Sequence, residues 1–103
     1  MNMQQMMQQA RKMQARMAEV QEELKDIEVS SSAGGGMVKV VATADLQIKA
    51  ITIDPEALAD PEDLDMVQDM VLAAVNDALA SAQEVANREM SAVTGGLNIP
   101  GLF

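Results

Sequence analysis

Residues 6–27 read Met6-Met7-Gln8-Gln9-Ala10-Arg11-Lys12-Met13-Gln14-Ala15-Arg16-Met17-Ala18-Glu19-Val20-Gln21-Glu22-Glu23-Leu24-Lys25-Asp26-Ile27. Apolar residues return at Met6, Ala10, Met13, Met17, Val20, Leu24 and Ile27. This alternation of four and three is the a/d repeat of a helix that lays a narrow apolar seam on a partner. Gln, Arg, Lys and Glu, all good helix formers, fill the positions between, and neither Gly nor Pro occurs before Gly34. The spacing predicts one helix over the first twenty-seven residues, roughly 37 Å long at the α-helical rise. That is more than a small domain needs. Charge is sorted along it: residues 1–18 carry Arg11, Lys12 and Arg16 and no acid, whereas residues 19–28 carry five acids against Lys25.

Working outward, the period changes. Residues 27–33 alternate weakly and read as a short edge strand, and Gly34-Gly35-Gly36 is a turn. The β-branched stretch Met37–Thr43 and the stretch Leu46–Ile53 read as two further strands. Within the last, Leu46 and Ile48 fall on one face and Ile51 and Ile53 on the other. A one-residue bulge near Lys49-Ala50 would bring all four to the core side. Asp54-Pro55 then opens a single helical turn. Asp60-Pro61-Glu62-Asp63 is a helix start, with a capping carboxylate, a proline at the first position and acids on the first turn. The helix that follows carries a stripe of small residues, Ala74, Ala78 and Ala82, that admits close approach of another backbone, and Thr94-Gly95-Gly96 ends it. The apolar segment 97–103 is expected to dock on a surface or to stay disordered.

The expected fold is therefore α+β, in the order α-β-β-β-α, with a small antiparallel three-stranded sheet between two long helices in a single domain, 1–103. Helices of this length exceed what three short strands can cover, so their overhanging seams predict a two-fold dimer.

Composition narrows the function. With no Cys and no His among 103 residues, thiolate sites and the commonest general base and metal ligand are unavailable. The acids at Asp60, Glu62, Asp63 and Asp65 match no calcium loop and are explained by helix capping. The triple glycine lacks the Lys-Ser/Thr of a phosphate loop. No catalytic residue, cofactor, metal or small-molecule substrate is expected, and no apolar run reaches a membrane-spanning length. A cytoplasmic location is expected. The net charge of −9 argues against polyanion binding by the whole surface. It leaves a local patch: Arg11, Lys12 and Arg16, flanked by the amides of Gln4, Gln5, Gln8, Gln9 and Gln14, which suit phosphates and base edges. The rival reading is an acidic helical adaptor that holds a partner protein with its Met-rich seam.

Several segments, in order, resemble one family. They are residues 14–24, Ala33-Gly34-Gly35-Gly36-Met37-Val38-Lys39-Val40, Ile53-Asp54-Pro55, Asp60-Pro61-Glu62-Asp63, Asn76-Asp77-Ala78 and Thr94-Gly95-Gly96-Leu97-Asn98-Ile99-Pro100-Gly101-Leu102. Together they resemble the YbaB/EbfC family of bacterial nucleoid-associated proteins over nearly the whole chain. The resemblance implies a tweezers-shaped homodimer that sits on the nucleoid and grips double-stranded DNA with its helix ends. The region implied is the basic part of the first helix, with Arg88 as the single cation of the second. Family members often carry a basic, Gly-containing turn between the last two strands. Thr43-Ala44-Asp45 stands there in this chain, a departure from the family pattern that withdraws its support for a DNA contact from that hairpin.

Overall fold

A computed structural model describes residues 2–95. The order is α1 (Met3–Leu24), β1 (Glu28–Ala33), β2 (Val38–Thr43), β3 (Gln47–Ile53), two single 3-10 turns (Pro55–Leu58 and Pro61–Asp63) and α2 (Leu64–Thr94). The three strands form one antiparallel meander, β1-β2-β3. The α+β arrangement expected from the sequence is the one observed. The expected docking or disorder of 97–103 lies outside the described residues.

The sheet has one covered face. Val38, Val40 and Ala42 on β2 are fully buried, and Val29 and Ala33 of β1 and Ile53 of β3 pack around them. Over them lies α2, presenting Ala74, Ala78 and Ala82, each with no solvent exposure. Only methyl side chains on the helix stripe let its backbone come this close, and the Ser31 hydroxyl of β1 donates directly to the Ala74 carbonyl. The helix lies over β1 and β2 and touches β3 little.

The bulge falls where the sequence places it. Val41 pairs with Ala50 and Ala42 with Ile48, so Lys49 is the extra residue. Ile48, Ile51 and Ile53 thereby oppose Ala42, Val40 and Val38 on the helix side. Leu46 does not join them. It sits in the β2–β3 turn at φ 67°, the left-handed position that closes a three-residue hairpin loop and usually falls to Gly. The turn is held by the Leu46 N–H donating to the Thr43 carbonyl and by the Thr43 hydroxyl on Asp45. At the other hairpin Gly34, Gly35 and Gly36 all take positive φ, and Met70 of α2 packs where a Gly34 side chain would stand.

α1 is shorter than its periodicity suggests. It ends at Leu24, and Ile27 is drawn out of the helix because its carbonyl accepts the Ala44 N–H at 2.9 Å. Ile27 still completes the seam's inner cluster: Val20, Leu24 and Ala44 are buried together, with Val85, Ala86, Met90 and Val93 of α2 packed on them. Burial of Val20 and Leu24 contributes about 1.5–3 kcal/mol each and fixes α1 to the body. Asp60 likewise starts a 3-10 turn rather than the α-helix itself, accepting from the Glu62 N–H at 3.0 Å, and α2 follows at Leu64.

The two helices leave the sheet at the same end. α2 passes from Met70 near the Gly34 turn to Val85 beside Ala44 and then beyond it, while α1 runs inward past the same point. They are antiparallel there. The body is accordingly drawn out to 70 × 24 × 16 Å.

Candidate nucleic-acid interface

The outer half of α1 projects as a cationic rod. Its N-terminus is closed by Asn2, whose side chain accepts the Gln5 N–H at 2.8 Å, and no acid lies in the first turn. The positive end of the helix macrodipole therefore adds to the side-chain cations instead of being cancelled. Every residue from Asn2 to Lys12 is exposed. Along the seam, cover grows inward: Met6 is 58% exposed, Met13 and Met17 are half-buried, and Val20 is 1% exposed.

Arg11 and Lys12 lie about a third of a turn or more around the helix from this seam. They face solvent, and neither makes an ion pair among the described residues. Gln4, Met7, Gln8 and Arg11 line a shallow groove along the same face. Here amide donors and a guanidinium stand one helical turn apart, a spacing that can meet successive phosphate oxygens.

Arg16 is different. Its guanidinium donates to Glu19 at 2.9 Å and lies 3.5 Å from Glu23. The Glu19 hydrogen bond, reinforced by the charge of Glu23, holds its pKa above the ordinary guanidinium value. The sequence reading leaves Arg16 open to a polyanion; the structure finds it engaged by the acidic inner half of its own helix. The signal was present as the i,i+3 and i,i+7 spacing of acids after Arg16. Arg88 is exposed on the part of α2 that extends beyond the sheet, so it belongs to the same end of the molecule. Of the remaining cations, Lys25 pairs with Glu22 at 3.1 Å and Lys49 on the bulge reaches Glu28, while Lys39 is exposed on β2, away from the α1 rod.

The far part of the body repels phosphate. The stretch 54–77, which spans both 3-10 turns and the first half of α2, carries eight acids and no cation. Asp54 and Asp60 are used as caps. The described residues hold no group of three or more acids placed to bind a metal. None of their helices is long and apolar enough to cross a membrane.

Comparison with known proteins points the same way. A model of the YbaB/EbfC DNA-binding family matches residues 1–97. A nucleoid-associated protein of Pelotomaculum thermopropionicum is 57% identical over 102 residues, covering 99% of this chain and 96% of that one. Another, from Acetivibrio thermocellus, is 55% identical over 103 residues, covering 99% and 90%. The crystal structure of an uncharacterized protein from Helicobacter pylori superimposes with a TM-score of 0.74 at 27% identity, covering 92% of this chain and 97% of the other.

Proposed function

The chain belongs to the YbaB/EbfC DNA-binding family, and from that premise we propose that it is a non-enzymatic, nucleoid-associated protein that binds duplex DNA as a homodimer. The observation that carries the site is the exposed, acid-free outer half of α1 on a chain of net charge −9. Phosphates are its target. Arg11 and Lys12 make the principal contacts, with Arg88 and a partly neutralised Arg16 assisting. Gln4 and Gln8 supply uncharged donors. These contacts serve the sugar–phosphate backbone.

The dimer is supported by apolar surface that the single chain leaves open. Ile48 and Ile51 stand on the core-facing side of β3 yet lie beyond the cover of α2, at 37% and 47% exposure. Leu64 and Leu72, eight residues apart and so on one side of α2, are exposed as well. A second copy packed on this surface buries it and presents two basic rods to one duplex. The family match decides between the two readings of the sequence, in favour of DNA over an adaptor for a protein partner.

Fluorescence anisotropy with duplex DNA across a salt series tests the assignment. Four to six phosphates neutralised by a dimer give a slope of log K against log salt of roughly −4 to −5. The Arg11→Ala/Lys12→Ala/Arg16→Ala variant is expected to lose both most of the affinity and most of that slope. Unchanged binding by this variant excludes the site.

A further inference from the structure

The long axis of the molecule joins two unlike ends. At one, the outer turns of α1 project, with Met3, Met6 and Met7 at 77%, 58% and 50% exposure. At 100° per residue these three and Ala10 share one face of the helix, and Arg11 and Lys12 flank that face on opposite sides. The tip is thus apolar along one stripe and cationic beside it.

The other end is also apolar, but acidic. The two 3-10 turns and the start of α2 adjoin the Gly34 turn: the Asp54 N–H donates to the Met37 carbonyl at 2.8 Å, and Met70 packs beside Gly34. α1 joins the body at the opposite hairpin, where the Ile27 carbonyl accepts the Ala44 N–H. At the Gly34 end Leu58 and Met66 are each 51% exposed. Exposed acids surround them in the chain: Glu62 comes one turn before Met66, and Asp69 neighbours it three residues on. Met66 lies around α2 from Leu64 and Leu72, so it is no part of the flank assigned above to the two-fold contact.

Residues 1–18 carry three cations and no acid, and residues 54–77 carry eight acids and no cation. The body that separates the two ends is 70 Å long, whereas charges in 0.1 M salt are screened over about 10 Å. Each end therefore acts through its own charge, and the net −9 does not keep a tip from a pole. Tip and pole of one chain face away from each other. Those of two chains can meet.

We propose that the methionine-bearing tip of α1 docks on the Leu58–Met66 pole of another copy of this chain. Met3, Met6 and Met7 cover Leu58 and Met66, while Arg11 and Lys12 face Glu62 and Asp69. Unbranched methionines adapt to a surface that is not a shaped groove. Because tip and pole are different surfaces, the contact is heterologous and repeats from copy to copy as an open chain. The tip is also the proposed DNA site, so a copy on DNA gives up this contact. The inference itself needs no DNA and its test contains none, so its failure and that of the DNA reading are distinguishable.

Sedimentation velocity of the full chain, from micromolar to millimolar protein, reads the contact. At low salt the sedimentation coefficient is expected to rise steadily with concentration. In 1 M salt, where screening shortens to about 3 Å, it should stay constant. Arg11→Glu/Lys12→Glu changes only the exposed tip and should abolish the rise. Glu62→Lys/Met66→Lys/Asp69→Lys, with its helical circular dichroism retained, should abolish it from the other side. An equimolar mixture of the two variants should restore the rise, since each then meets a pole or tip of opposite charge. A constant coefficient for the wild-type chain at low salt overturns the proposal, as does a rise that survives in the tip variant. A mixture of folded variants that fails to associate also overturns it.

Discussion

The Arg16 guanidinium donates to the Glu19 carboxylate at 2.9 Å, with Glu23 3.5 Å away. One of the three cations of the α1 rod is thereby partly neutralised before any DNA arrives. Both partners are more than half exposed, so the pair adds little to stability. It acts on binding instead. Arg11→Ala and Lys12→Ala should each lower the salt slope by roughly 2, because each removes one contact from both subunits, and Arg16→Ala by less. Glu19→Gln combined with Glu23→Gln should free Arg16 and raise DNA affinity at low salt. Anisotropy titrations of these four proteins check the order. Equal losses for all three cations would show that Arg16 abandons its carboxylates at no cost.

The proposed dimer rests on Ile48 and Ile51, which the bulge at Lys49 turns to the helix side of β3 beyond the reach of α2. Ile51→Asp places a charge in that surface. Light scattering at micromolar concentration should move from a dimer toward the 11.0 kDa monomer, and DNA affinity should fall with the loss of the second rod. A dimer mass unaffected by Ile51→Asp places the interface elsewhere.

Ala78 has no exposed surface and lies between Val38, Val40 and Ala42. A longer side chain there must lift α2 from the sheet and stretch the Ser31–Ala74 hydrogen bond. Ala78→Leu is expected to cost about 3 kcal/mol in urea unfolding, the upper end of the usual overpacking penalty because backbone and not a flexible side chain must move.

Leu46 occupies a left-handed position at φ 67° and is 42% exposed. An L-residue with a Cβ is disfavoured there by roughly 1–2 kcal/mol, and glycine escapes that cost. Leu46→Gly should raise stability by about 1 kcal/mol, seen as a higher urea midpoint at unchanged slope.

What could be read from the sequence was local. The bulge announced itself because Ile48 and Ile51 are out of phase for one strand face, and period-2 alternation is a backbone property that no distant contact alters. The alanine stripe was legible for the same reason. Where elements end depends on partners that the periodicity does not contain. Ile27 keeps the heptad rhythm but leaves the helix because Ala44 needs its carbonyl. Leu46 keeps the strand's apolar character but is taken by a turn. At the site, the charges of Arg11 and Lys12 sufficed to mark the region. The engagement of Arg16 required weighing it against its own i+3 and i+7 neighbours, not counting cations.

In the proposed complex DNA meets the outer half of α1 and avoids the acidic body. Amide NMR of the wild-type protein, titrated with a short duplex, tests this residue by residue. Shifts are expected to concentrate in residues 4–16 and around Arg88, with the stretch 54–77 unmoved. Shifts centred on the sheet hairpins or on residues 54–77, with residues 4–16 silent, would contradict it.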